Sequence, residues 1–421
     1  MNREDFPLLA DGKWAYLDNA ATTQRPQPVL DALAEAAVTC NANVHRSPHS
    51  LGREMTRRFE EARDKVGRFF GASEHYTVVF TSGATGAINL VAHSYLEAFC
   101  QPGDRILTLG SEHHSNFVPW QQLCKRQGLD FQVVPILPGG QPDWAWFRQA
   151  LSPATKLVAL AHVTNTFGVV NPVEEVIRLA HERGIPVLVD GAQAAGHRPV
   201  DVERLGCDFY CVSAHKMYGP TGIGALLART QLLERMPPLQ FGGEMVERVT
   251  MEDTRFQPPP YRFEAGTPHF LGAVGFAAAV DHLGQVGLEQ AAREEQTLAR
   301  ALWEGLRAIP EVELPVSRPP QAGIVSFSLP PFHPYDVAVL LDQQGVAVRS
   351  GTHCAHPLFD ALGMPQGVVR ASLGLYNTLE AWNACAGRSG GLPPSNCEGG
   401  CCHDAAGKTG GVPPRAGKPG G

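Results

Sequence analysis

From about Thr77 to Leu227 the chain alternates short apolar runs with longer amphipathic ones, a rhythm that very few architectures accommodate. Residues 76–80, 105–109, 131–135, 156–160 and 186–190 read as strands, being short, apolar and rich in branched side chains. The intervening segments, residues 173–183 for example, are long enough for crossover helices. Such alternation predicts a mainly parallel sheet with helices on both faces. Ligands of such sheets sit beyond the carboxyl ends of the strands, so polar residues that follow strands are the first candidates for chemistry.

Past about Thr267 the pattern changes. A long helical stretch over 271–308 precedes a strand at 323–329, a helix at 335–344 and an extended run at 346–349, which predicts a separate, smaller α/β domain. The expected division is an N-terminal segment at 1–25 packing with that small domain, a large domain at 26–270, the small domain at 271–380 and a tail at 381–421. Pro258, Pro259 and Pro260 make a stiff loop rather than a linker. The net charge of -7 argues against a general nucleic-acid surface. The acidic N-terminus, with Glu4, Asp5 and Asp11, excludes a signal peptide of the usual form, and no apolar run is long enough to span a bilayer, so a cytoplasmic location is expected. Thiols there stay reduced; Cys40, Cys100, Cys124, Cys207 and Cys211 read as packing residues, which leaves Cys354 for separate treatment.

Three features carry chemistry. Residues 186–193 form a buried strand ending in Asp190, a carboxylate that either caps the next helix or faces a ligand. Residues 208–224 form a second strand, then Ser213, His215 and Lys216, then a glycine-rich turn. A lysine there is partly desolvated, and a desolvated amine has a depressed pKa and can attack a carbonyl. The turn lacks the dinucleotide and Walker spacings. Upstream, Thr81-Ser-Gly-Ala-Thr85-Gly-Ala-Ile-Asn89 follows a strand and opens a helix, a ready phosphate site. An anion site, a partner for a pyridinium nitrogen and an amine for an aldehyde, in this order, are what pyridoxal 5'-phosphate requires.

Here the sequence resembles the fold-type I, class V aminotransferase-like pyridoxal phosphate proteins, and among them the SufS/CsdA-type cysteine desulfurases. The motifs are Tyr16-Leu-Asp-Asn-Ala-Ala-Thr-Thr23, Asn43-Val-His45-Arg46, the segment from Ser82 to Asn89, Glu112-His113-His114 and Asp190-Gly-Ala-Gln193. Later come Ser213-Ala-His215-Lys216, Phe263-Glu-Ala-Gly-Thr267-Pro268, Arg349-Ser-Gly-Thr-His-Cys354-Ala and Arg370-Ala-Ser-Leu. The resemblance implies an α/β fold: a large domain with a mainly parallel seven-stranded sheet flanked by helices, plus the smaller C-terminal domain.

It also implies roles. Lys216 would hold the cofactor and move the Cα proton, Asp190 would keep the pyridine nitrogen protonated, and Gln193 would donate to the phenolic oxygen. His113 would stack on the ring and serve in proton transfer. Ala84 through its N–H, Thr85, Ser213 and His215 would bind the phosphate, completed by Thr267 of a partner subunit in a homodimer. Arg370 fits the substrate carboxylate, with Asn165 orienting it and the ring; His45 and Arg349 are second-tier substrate candidates. No metal is implied. Cys354, beside Arg349 and His353 that would stabilise a thiolate, would take sulfur from L-cysteine as a persulfide, leaving alanine. Its short loop resembles the group that passes sulfur to a SufE-like acceptor, for iron–sulfur cluster assembly or another sulfur pathway. Selenocysteine lyase activity uses the same apparatus, and a catalytically impaired binding protein of the same fold is a third reading.

Two departures stand out. Family members commonly show Thr-Thr-Glu where this chain has Ala84-Thr85-Gly86. After Glu380 the sequence turns rich in Gly, Pro and Cys, for which disorder is expected. Shifting codons 381–386 by one base gives an apolar residue, a forced Glu, Arg or Cys, and then apolar again, the opening of an amphipathic helix. A frameshift near Glu380 is therefore expected to have replaced a terminal helix. The rival reading of Cys397, Cys401, Cys402 and His403 as a metal site lacks paired C-x-x-C spacing.

Overall fold

A computed structural model describes residues 3–378 of the chain. The tail, with its expected disorder and its Cys/His cluster, lies outside the described residues.

Seven strands form the central sheet: β1 (Tyr76–Thr81), β2 (Arg105–Leu109), β3 (Asp130–Val134), β4 (Thr155–Ala161), β5 (Val187–Asp190), β6 (Phe209–Ser213) and β7 (Gly224–Arg229). Their order is β1-β7-β6-β5-β4-β2-β3. All neighbours run parallel except β7, which is antiparallel to both β1 and β6. The strands are apolar almost throughout because both faces are buried. Leu107, Val158, Val189, Tyr210 and Leu227 enter one apolar core, whereas Ile106, Leu157, Leu188, Cys211 and Leu226 enter the other. That is the two-residue side-chain period with helices on each side.

Helices α1 (Gln27–Thr39) and α2 (Ser50–Phe69) cover the first face, where α2 presents Met55, Phe59, Ala62 and Val66 at three- and four-residue steps. On the opposite face α3 (Ala84–Phe99) sets Ala87, Ile88, Val91 and Leu96.

The helical stretch expected over 271–308 is two helices, α4 (Phe270–Val286) and α5 (Leu288–Arg307), bent by 78°. Gly287 sits at the break with φ +80°, a backbone state that glycine adopts without steric cost. The break sends α4 into the large core and α5, through Ala299, Leu302, Trp303 and Leu306, onto the small domain. There β8 (Ile324–Phe327), β9 (Arg349–Gly351) and β10 (Val368–Ser372) form an antiparallel sheet of order β8-β10-β9. The extended run read at 346–349 is divided. Val346 and Ala347 pair in parallel with Ala15 and Tyr16, and Arg349 starts β9.

Ala15 and Leu17 are buried in the small-domain core, while Phe6 and Leu9 are buried in the large one. Among the cysteines read as packing residues, Cys40, Cys124, Cys207 and Cys211 are buried and Cys100 is half-buried. Among the described residues no single helix is long and apolar enough to cross a membrane.

Candidate active site

The carboxyl ends of β1, β2, β4, β5 and β6 converge on a cavity of about 210 Å³. It is lined by Ala84 and Thr85, His113, Asn165, Asp190 and Gln193, then Ser213, His215 and Lys216, with Arg349, His353, Cys354 and Arg370 entering from the small domain. Thirteen residues that the sequence singled out therefore share one space.

Strand β6 ends at Ser213, and a single 3-10 turn, Ala214–Lys216, swings the lysine inward. Burial drives the Lys216 amine down to about 8; Asp190 opposes the shift while Arg370 and Arg349 add to it. Asp190 closes β5, fully buried, with Oδ1 accepting from the Ala192 N–H at 2.9 Å. Burial raises its acid, against the pull of that N–H and of Lys216. A buried carboxylate of this kind lacks a cationic partner in contact, which is what a protonated ring nitrogen would supply.

The helix start fits an anion. Gly83, at φ +136°, lets the chain turn tightly out of β1 into α3. The Ala84 N–H meets Ser213 Oγ at 2.8 Å, and Thr85 Oγ1 lies 2.7 Å from Ser115 Oγ. The N–H groups and the Thr85 hydroxyl thus survive the Ala84-Thr85-Gly86 departure, and of these donors only the hydroxyl at position 84 is lost. Burial and the Lys216 charge lower His215 to about 4, which leaves a neutral ring able to donate one N–H.

Burial, and then Lys216, lower His113 to about 3. Its Nδ1 accepts from the Ser115 N–H at 3.1 Å, which assigns the ring proton to Nε2. Its turn is tied to the end of β4 by buried Glu112, which accepts from the Ala161 N–H at 2.9 Å and from Asn116 Nδ2 at 2.6 Å. Gln193 gives one amide hydrogen to the Ala20 carbonyl at 2.8 Å, leaving the other for a ligand.

Arg370, on β10, is 2% exposed. Nη1 donates to the Asn165 carbonyl at 2.7 Å and Nη2 to Asp18 Oδ1 at 3.3 Å, while Nε is buried without a protein partner. Burial, countered by Asp18, lowers its guanidinium to about 10. A buried guanidinium with free donors is built to receive a carboxylate. Arg370→Lys is therefore expected to raise the apparent KM for an amino-acid substrate by about 10- to 100-fold, the equivalent of one charge-assisted hydrogen bond, with kcat changed only a few-fold. Steady-state kinetics check it.

Asn165 has a contact that its expected role did not include. Its Nδ2 donates to the His353 carbonyl at 2.7 Å, so the side chain anchors the cysteine loop. His353 does depart from its expected role: burial, and then Arg370, lower it to about 3, and its Nε2 donates to the Val368 carbonyl at 3.2 Å. A neutral ring committed to a carbonyl supplies no positive charge to a thiolate. Both His353 (φ +48°) and Cys354 (φ +57°) occupy the left-handed region, at a cost of about 1–2 kcal/mol each for residues with a Cβ. The Cys354 carbonyl in turn accepts from the His114 N–H at 2.7 Å.

Two candidates lie outside the cavity. His45 pairs with Glu60 through Nε2 at 2.8 Å and packs edge-on to Tyr261. Thr267 lines a neighbouring cavity with Ser82, Gly86 and Gly222. Asp18, the partner of Arg370, was not singled out from sequence alone, since 352 positions separate the two.

A desolvated amine, a buried carboxylate and an anion-ready helix start at one end of a seven-stranded sheet define a pyridoxal phosphate-dependent transferase of fold type I. The chain belongs to the aminotransferase class-V family, whose pattern it matches over residues 15–383. It is 44% identical over 382 residues to a probable cysteine desulfurase of Vibrio cholerae, covering 90% of this chain and 94% of that one. It is 46% identical over 385 residues to a cysteine desulfurase of Klebsiella pneumoniae, with the same coverage of 90% and 94%. Among solved structures, the cysteine desulfurase CsdA of Escherichia coli superposes with a TM-score of 0.85 at 36% identity, covering 92% of this chain and 96% of that one. A cysteine desulfurase from Thermococcus onnurineus gives 0.87 at 39% identity, over 91% and 95%.

Proposed function

We propose that the chain is a pyridoxal phosphate-dependent cysteine desulfurase that converts L-cysteine to L-alanine and takes the sulfur onto Cys354. The observation that carries this reading is that Cys354, half-buried, lines the same cavity as Lys216 and Arg370. Relatives named as cysteine desulfurases over most of the chain support it. Lys216 would hold the cofactor covalently, with Asp190 at the ring nitrogen, His113 against the ring, Gln193 at the phenolic oxygen, and Ala84, Thr85, Ser213 and His215 at the phosphate. When bound, that group supplies an electron sink that labilises the bonds around the substrate Cα.

The protein's own groups do the rest. Arg370 binds the substrate carboxylate and so orients the side-chain sulfur toward the loop. The Lys216 amine, which burial brings to about 8 and so within reach of its neutral form at physiological pH, removes and returns the Cα proton. The Cys354 thiolate attacks the substrate sulfur. The new S–S bond forms as the C–S bond breaks, its electron pair passes to carbon, and a proton completes alanine. The product on the enzyme is a persulfide, which a SufE-like acceptor would remove. Arg349, exposed at the cavity's edge, is the cation nearest in sequence to favour the thiolate.

A homodimer, with Thr267 offered to the partner's phosphate site, is part of the same reading. The six described cysteines are unpaired, which suits a reducing compartment. The test is direct. Protein loaded with pyridoxal phosphate and given L-cysteine and a reductant is expected to release alanine and sulfide in equal amounts. Sulfide accompanied by pyruvate in place of alanine would overturn the assignment, and turnover confined to L-selenocysteine would replace it with a selenium-specific lyase.

A further inference from the structure

The cysteine loop is held in an unfavourable backbone state, and what holds it lies partly outside the cavity. Asn165 and the His114 N–H take the carbonyls of the two left-handed residues, His353 and Cys354. A further tie comes from a pair of side chains with no place in the reaction. His356, two residues past Cys354, donates its backbone N–H to His114 Nε2 at 3.3 Å, and its Nδ1 lies 3.0 Å from the same nitrogen. The two rings are nearly parallel, at 10°, with centroids 4.9 Å apart. His356 Nε2 lies 3.2 Å from Thr352 Oγ1, at the other end of the loop.

One proton arrangement is compatible with all of these contacts, with two donors sharing the single lone pair of His114 Nε2. A backbone N–H can only donate, so His114 Nε2 is an acceptor and its ring proton sits on Nδ1. The His356 Nδ1 must then carry a hydrogen toward His114, and its Nε2 accepts from the Thr352 hydroxyl. The side chain of His356 thus bridges the start of the cysteine loop to a residue of the large domain. His114 is adjacent to His113, so one turn faces the cavity with one ring and grips the loop with the next.

We propose that His114 and His356 form a latch that positions Cys354 for sulfur transfer. The latch rests on the reading of Cys354 as the sulfur acceptor, and both histidines are positioning residues that act through the loop. Opening it lets His353 and Cys354 relax from the left-handed region and moves the thiol away from the substrate sulfur. A misplacement of about 1 Å is enough to slow a reaction by about 100-fold.

The test uses holoenzyme and two readouts. The first is the rate at which iodoacetamide alkylates Cys354, located by peptide mass spectrometry; the second is alanine formation from L-cysteine. His356→Ala is expected to accelerate alkylation several-fold and to slow alanine formation by about 10-fold or more, with the absorbance of the bound cofactor unchanged. His356→Asn, whose amide places an N–H near the position of Nδ1, is expected to restore both to within about twofold. On the other partner, His114→Gln keeps an acceptor near Nε2 and is expected to behave as wild type, whereas His114→Leu is expected to match His356→Ala. Alkylation and turnover at wild-type rates in His356→Ala would overturn the latch, as would His356→Asn behaving like His356→Ala. Because alkylation needs no turnover, a protein that forms no alanine yet shows these alkylation differences would refute the desulfurase reading and leave the latch standing.

Discussion

Replacing Lys216 with methionine is expected to abolish alanine formation and, in the cofactor-free protein, to raise stability. The two effects share one cause. The Lys216 side chain is half-buried at the cavity, and the desolvation of its amine lowers it from 10.5 to about 8. That difference corresponds to about 3 kcal/mol at roughly 1.4 kcal/mol per pH unit, which the fold forgoes to keep an amine in this cavity. For a lysine with a depressed folded-state pKa, the unfolded chain binds more protons between pH 8 and 10.5. The penalty is therefore complete below pH 8 and disappears above pH 10.5. Methionine retains the stem's volume and removes the charge. The variant's gain in Tm is expected at pH 7 and should vanish near pH 11, as followed by thermal unfolding. Activity is expected to fall by about 10⁴-fold, since covalent attachment and proton transfer are lost together. Borohydride reduction should no longer fix the cofactor to the chain. A variant that still captures the cofactor irreversibly would show that another lysine performs the task.

Cys354→Ala is expected to lower alanine formation from L-cysteine by at least about 100-fold while leaving cofactor capture untouched. Cys354 shares the cavity with Lys216, yet it stands on a different domain and a different loop. Capture and sulfur transfer should for that reason separate cleanly. Brief incubation of the wild type with L-cysteine, followed by alkylation and mass spectrometry, should show one extra sulfur on the peptide that contains Cys354. Undiminished alanine formation in the variant would remove the persulfide from the mechanism.

Much of the site was legible because β-strands with both faces buried leave few places for polar residues. Asp190, Ser213 and Lys216 stand where the apolar alternation of β5 and β6 stops, and their types match what such a position can do. Contacts between distant segments were harder to read. Asp18 could not be connected to Arg370 because nothing local marks the pairing. The motif made His353 look like a charge beside the thiol, whereas its burial makes it neutral; sequence proximity carries no information about desolvation. Asn165 was placed in the right cavity, but its tie to the cysteine loop was not visible, since an amide after a strand can turn toward a ligand or a loop equally well. The break at Gly287 was missed because the apolar pattern continues across it and a single glycine is often tolerated within a helix. His45 resembled a site residue through its motif, and its pairing with Glu60 on α2 places it outside this chain's cavity.

The N-terminal strand has a consequence for how the site is assembled. Ala15 and Tyr16 pair with Val346 and Ala347, Asn19 donates to the Ser372 carbonyl at 2.8 Å, and Asp18 meets Arg370. Residues 15–19 and residues 346–372 therefore hold each other across about 350 positions of sequence, as the separations of 353 for Asn19–Ser372 and 352 for Asp18–Arg370 show. Contacts of such high sequence separation form late and slowly, because the loop they close costs entropy before it returns any. The central sheet is built from residues 76–229, whereas the arginine that selects the substrate is anchored only when these distant segments meet. The carboxylate clamp is thus the part of the site whose assembly depends on the longest-range contacts, whereas the lysine pocket rests on the central sheet.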